Sequence, residues 1–182
     1  YHNGIISFDQ VAQQKLTAIQ NMQVRCTMDK TDHINPAGIQ AFLDTVTYPL
    51  YFLDFESMQP AIPAYDNSKP YTQICFQYSL HYIEHKGGKL QHTAFLAPSD
   101  GSDPRRALSE ALCRDIPRNA CIMAYNDPFE KTRIKEMANI YPDLADHLMN
   151  IYNHIIDLLI PFREGNYYRP AMGGSFSIKV VL

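Results

Sequence analysis

The sequence predicts an α/β fold, a mixed sheet flanked by helices in which three antiparallel strands come first and parallel strands follow. Three observations predict it. Leu50-Tyr51-Phe52-Leu53-Asp54-Phe55-Glu56 is an apolar run of strand length behind Pro49. Ile74, Phe76, Tyr78, Leu80 and Tyr82 then alternate with other residues, and Lys86-Gly87-Gly88-Lys89 reads as a hairpin turn into Leu90–Leu96. Beyond the hairpin the pattern becomes helix, strand, helix, and a strand reached through a crossover helix lies parallel beside its neighbour.

Taken in order, residues 8–30 carry a rough apolar stripe of Phe8, Val11, Leu16, Ile19 and Met22, which predicts a helix. Asn35-Pro36-Ala37 opens a second short helix through Phe42 and Leu43. After Glu56, Pro60, Pro63, Asp66-Asn67-Ser68 and Pro70 break the chain into loop. Asp103-Pro104 pairs a cap with proline at the first helical position and starts a helix through Leu112. Ala120–Tyr125 is a short buried strand, Asp127-Pro128 caps the next helix, Pro142 opens another, and Ile155–Leu159 is a further apolar element. The reading divides the chain into an N-terminal helical extension, 1–45, and a sheet-bearing domain, 46–182. The start at Tyr-His-Asn-Gly and the stop inside Ile178–Leu182 predict a piece of a longer protein, truncated at the C-terminal side and preceded by an upstream domain.

Composition excludes several classes. With 46% hydrophobic residues in 182, the chain can build a core and is not disordered. No long uncharged apolar run predicts a membrane span. The four cysteines, Cys26, Cys75, Cys113 and Cys121, show no Cys-x-x-Cys spacing, which argues against structural zinc and for free thiols in the cytoplasm. A net charge of −3 supplies no basic field for unspecific nucleic-acid binding. It does not exclude a nuclease whose bound cations meet the phosphate.

Two acidic elements carry the candidate chemistry. Residues two apart on a strand share a face, so Asp54 and Glu56 point the same way, roughly 7 Å apart. Two bare carboxylates buried together repel, and a divalent cation such as magnesium, which prefers oxygen ligands, relieves both desolvation and repulsion. The alternative is a pair of solvated acids at a strand end. The second element is Tyr125-Asn126-Asp127-Pro128-Phe129-Glu130 at the end of the fourth strand. Glu130 either reaches the same cation or closes a capping box with Asp127, and Asn126 and Asp127 are otherwise turn residues.

Asp54-Phe55-Glu56-Ser57 followed by Asn126-x-x-Phe129-Glu130 resembles the first two motifs of the ribonuclease H-like three-prime exonucleases, the DEDD superfamily, with Glu130 where most members have Asp. A closer resemblance is to an uncharacterised bacterial family assigned to that fold. It is carried by Tyr48–Glu56, Pro70-Tyr71, Phe76–His81, Asp103–Arg106, Tyr125-Asn126, Phe129–Lys131 and Gly174–Lys179. The resemblance implies a ribonuclease H-like sheet and a 3′–5′ exonuclease that uses two Mg2+ or Mn2+ ions to hydrolyse DNA or RNA from an end.

By that resemblance Asp54 bridges both ions, and Glu56 and Glu130 complete their shells with a fourth acid beyond Leu182. Phe55 is either a wedge against a terminal base or a core residue. Ser57 is either a phosphate contact or a polar loop residue, and Asn126 joins them as a substrate-side residue. Lys179 is either a phosphate contact behind a helix start at Gly173-Gly174-Ser175 or simply solvated. Asp157 resembles an acid outside the metal shell, its other reading being a solvated or capping residue. Arg105 and Arg106 read as a charged helix face, and His81, His85 and His92 as surface or packing residues. The competing functions are a catalytically inactive nucleic-acid-binding or scaffolding module, and a phosphohydrolase of small nucleotides.

Overall fold

The structure, a computed structural model, describes residues 4–182. Along the chain run α1 (Phe8–Ala12), α2 (Ala18–Asp29), β1 (His33–Ile34), α3 (Pro36–Leu43), β2 (Leu50–Met58), β3 (Ile74–Ile83) and β4 (Gln91–Leu96). They are followed by α4 (Pro104–Asp115), β5 (Cys121–Ala124), α5 (Pro128–Ile140), α6 (Ala145–His154), β6 (Ile155–Asp157), α7 (Ile160–Arg163), β7 (Tyr167–Tyr168), a 3-10 turn (Pro170–Met172) and α8 (Ile178–Val181). No helix among the described residues is long and apolar enough to cross a membrane. All four cysteines are free thiols.

These elements form two compact units. One is Val46–Leu158; the other joins the residues up to Thr45 with Leu159–Leu182. The sequence reading kept 159–182 with the sheet.

In the unit of the two chain ends, the single helix expected over 8–30 is two helices. Ser7 with Gln10 and Thr17 with Gln20 each form a capping box, so Thr17 starts α2 afresh instead of continuing α1. The two-residue strands β1 and β7 pair antiparallel, His33 against Tyr168. They are too short to show alternation in the sequence. α3 starts where expected, on an Asn35 side chain that accepts from the Gly38 amide. Asn35 Nδ2 also donates to Asn166 Oδ1 at 2.9 Å, and a Cβ on Gly38 would fall 2.1 Å from that oxygen. A small core gathers Cys26, Tyr168 and Met172. The helix start expected at Gly173-Gly174-Ser175 is not there: Gly173 and Gly174 have φ of +57° and +80°, left-handed values that cannot continue into a helix, and α8 begins after Ser177.

The Val46–Leu158 unit is a five-stranded mixed sheet in the order β4-β3-β2-β5-β6. β3 is antiparallel to both of its neighbours, β2 and β4, and β5 and β6 run parallel to β2. Alternation sends Tyr51, Leu53 and Phe55 of β2, Tyr78 and Leu80 of β3, Ile122 and Ala124 of β5 and Ile155 of β6 into one core. The helices cover that face. α4 starts on the Asp103 cap and buries Leu108, Ala111 and Leu112, an i, i+3, i+4 stripe. Each fully buried leucine stabilises the fold by about 1.5–3 kcal/mol relative to exposure. The Tyr78 hydroxyl donates to Asp115 at 2.6 Å, tying β3 to the end of α4. α6 begins at Ala145, because Pro142–Leu144 closes a turn in which the Leu144 amide donates to Tyr141 O at 3.0 Å.

Candidate functional site

Asp54 and Glu56 share a face of β2, opposite Ser79 and Gln77 of β3. Both are exposed, while Leu53 and Phe55, which alternate with them along the strand, are buried. The expectation of buried carboxylates is thereby corrected: this stretch of β2 has its helix-covered face in the core and its other face in solvent. Phe55 is 5% exposed and belongs to the core. Of its two readings only packing matches that position, since so little of the ring is free to meet a base. The ladder slips between Glu56 and Ser57, so that Ser57 pairs with Cys75 and Phe76 is the extra residue of a bulge.

Glu130 is the reverse case. It lies in the first turn of α5, whose buried residues are Glu130, Ile134, Met137 and Ala138. The spacing i, i+4, i+7, i+8 makes Glu130 the first member of the apolar stripe, and it is 6% exposed. The capping box does not form. Asp127 makes no side-chain cap bond and pairs instead with Lys131, four residues on, at 2.5 Å. One carboxylate oxygen of Glu130, Oε2, is buried with no hydrogen-bond partner among the described residues. Burial pushes the Glu130 carboxyl up from its ordinary value to about 7; its own backbone amide pulls the other way, and the charges of Asp54, Asp127 and Asp157 add to the rise.

Asp157 ends β6 in register with Ala124 and is 4% exposed. It is neither solvated nor a helix cap. Its Oδ1 accepts from the Asn126 amide at 2.8 Å. Asn126 sits at φ +65°, a left-handed turn that asparagine tolerates better than most residues. Asp157 therefore clamps the turn that feeds Glu130 into α5, while the Asn126 side chain stays exposed. Burial, and then the Asp157 charge, raise the neighbouring Tyr125 phenol.

β2, β5, β6 and α5 thus bring Asp54, Glu56, Asn126, Glu130 and Asp157 into one unit. No group of three or more His, Cys, Asp and Glu among the described residues is arranged to hold a metal ion. Lys179 is exposed on α8, in the other unit.

Two arginines carry more structure than a charged helix face suggests. Arg105 is 7% exposed; its Nη2 donates to Asp103 and to the Asp66 carbonyl. Arg106 reaches both Asp143 oxygens, at 2.8 and 2.7 Å, and Glu110. His81 and His92 lie opposite each other across β3 and β4, ring centroids 4.3 Å apart. Sequence reasoning passed over Arg133, whose side chain is 11% exposed. The signal was its place one residue before the stripe member Ile134, where a long side chain covers apolar surface.

The family model described as a domain of unknown function (DUF2779) matches residues 51–177, a span that contains all four acids and ends before Lys179. The uncharacterized protein UU173 of Ureaplasma parvum serovar 3 is 28% identical over 160 residues, which cover 82% of this chain and 23% of that protein. The chain therefore spans less than a quarter of the length of this relative. No solved structure matches it.

Proposed function

The chain belongs to the DUF2779 family, and on that premise we propose that its Val46–Leu158 unit is the core of a metal-dependent 3′–5′ exonuclease acting on DNA or RNA. The observation that carries the reading is Glu130: a buried carboxylate with an unmatched oxygen, in the field of Asp54. Leaving such a group without a partner is costly, and a cation is the partner that removes both the desolvation and the acid–acid repulsion. The motif spacing of Asp54-x-Glu56 and Asn126-x-x-Phe129-Glu130 supports the same reading.

The donors suit Mg2+ or Mn2+ in kind, being carboxylate oxygens. Asp54, Glu56 and Glu130 would hold it, although their side chains do not close on one point in this arrangement. When bound, such ions supply an activated water and charge neutralisation for the phosphodiester. The chain's own part follows from its geometry. Exposed Asp54 and Glu56 leave the strand end open to a polymer, α5 holds Glu130 in its buried first turn, and Asp157 sets the turn between strand and helix. Ser57 and the Asn126 side chain, in the same unit as the acids, would serve as substrate contacts. The nucleic acid and an upstream domain of the same polypeptide are the partners in this reading.

The absence of a closed three-acid group among the described residues favours a second reading, a nucleic-acid-binding or scaffolding module without catalysis. One assay separates them. The full-length protein is incubated with end-labelled single-stranded DNA and RNA in Mn2+, beside Asp54→Ala. The exonuclease reading expects stepwise shortening from the 3′ end, lost in the variant. Binding without cleavage by a folded protein overturns it in favour of the second.

A further inference from the structure

On the face of the sheet turned away from the helices, strand register sets side chains in rows. Phe52, His81 and His92 form one row across β2, β3 and β4, and Asp54, Ser79 and Ala94 form the next. Leu53 and Leu80, which alternate with these residues, point the other way into the core. His81 and His92 are both exposed.

Directly opposite residues on antiparallel strands have Cβ atoms about 4.5–5.5 Å apart, close enough for two imidazoles to meet. The ring centres of His81 and His92 are 4.3 Å apart, with their planes inclined at 37°. A divalent ion held at about 2.0–2.1 Å by one nitrogen of each ring sets the ring centres roughly 4.5–5.2 Å apart. The pair stands within about 0.2 Å of that range, and rotation of two exposed side chains closes the remainder without moving a strand. Ser79 Oγ lies 3.1 Å from His92 Nε2. A hydroxyl that accepts from the Nε2–H orients the ring and leaves the Nδ1 lone pair of His92 for a metal. Metal-binding histidines almost always have their second nitrogen held in this way. Asp54, opposite Ser79, is a diagonal neighbour of His81, roughly 7–8 Å away. From there its charge favours a cation at the rings without ligating it.

We propose that His81 and His92 form a two-imidazole site for a divalent transition ion, Ni2+, Cu2+ or Zn2+, on the exposed face of β3 and β4. Imidazole nitrogen suits these ions, whereas Mg2+ and Mn2+ favour oxygen donors. Two protein ligands leave the rest of the coordination shell to water or to an anion. Because β4 is an edge strand, an ion shared by the two rings also ties that edge to β3. Asp54, Glu56 and Glu130 are not ligands here, so the site stands or falls separately from the hydrolytic reading.

The test is calorimetric titration of the full-length protein with Ni2+ in excess Mg2+, which occupies carboxylate sites. The expected result is a saturable binding step with a Kd of about 0.1 mM or tighter, accompanied by a higher melting temperature in Ni2+. His81→Gln and His92→Gln, both at exposed positions, should each weaken that step about tenfold or more and remove the rise in melting temperature. The melting temperature without Ni2+ should stay as it is in both variants. His85→Gln, on the same hairpin but outside the pair, should leave binding unchanged. Absence of the step overturns the proposal. So does a step that survives His81→Gln or His92→Gln, or one that His85→Gln removes equally. Cleavage of nucleic acid is read in a different assay, so failure of one proposal is distinguishable from failure of the other.

Discussion

Asp54 and Glu56 stand on the exposed face of β2, whereas Glu130 and Asp157 are 6% and 4% exposed. The four acids lie in one unit and within one family span, yet water screens the first pair and protein surrounds the second. The difference comes from the elements that carry them. Strand alternation turns Asp54 and Glu56 away from the helices, while the α5 stripe and the β5–β6 register turn Glu130 and Asp157 inward. Exposed acids cost the fold little and are free to meet a substrate. Buried acids have to be matched, as Asp157 is by the Asn126 amide, or remain uneasy, as Glu130 does.

The comparison predicts unequal costs, largest first. Asp157→Ala removes a charged acceptor from the Asn126 amide and relaxes a left-handed turn. It should lower stability by about 3 kcal/mol in urea unfolding. A loss no larger than that of a surface substitution would break the contrast between the pairs. Glu130→Gln should act in the opposite sense.

The Glu130 carboxyl titrates near 7 in the folded chain against an ordinary value of 4.5. Between those values the folded state holds more protons than the unfolded one, so stability falls as pH rises from about 4.5 to about 7. In EDTA at pH 8, Glu130→Gln should therefore be about 2 kcal/mol more stable than the native chain, allowing for water near the start of α5. It should also flatten the pH profile of the melting temperature. An unchanged profile would show that another group sets it.

Asp54→Asn sharpens the comparison at the small end. Its effect on stability should stay within about 0.5 kcal/mol, and because the Asp54 charge raises the Glu130 carboxyl, the pH midpoint assigned to Glu130 should move down. A shift upward would remove the electrostatic link between the two elements.

Much of this was legible in the residues. The hairpin of β3 and β4 was written in alternation and in Lys86-Gly87-Gly88-Lys89. Asp103-Pro104 marked the start of α4, and the shared face of Asp54 and Glu56 needed only the two-residue period of a strand. The burial of Glu130 was legible too, in the 130, 134, 137, 138 spacing, but the competing capping pattern hid it. A short acid-bearing motif satisfies both rules, and only the neighbours decide between them. Ser7 and Thr17 were likewise readable as two capping boxes, which a broad apolar stripe obscured.

By itself the sequence determined the order of the elements, the antiparallel start of the sheet and the identity of the acids, because periodicity, caps and turns are local and act within a few residues. Only the tertiary structure decided between the two readings of Glu130, that Asp157 holds the Asn126 turn, that Arg133 keeps an unmatched N–H, and that Leu159–Leu182 clusters with the N-terminal segment. Those outcomes depend on contacts between residues 31 to well over 100 positions apart, and solvent exclusion at such a contact is a property of what packs above it, which no local pattern encodes.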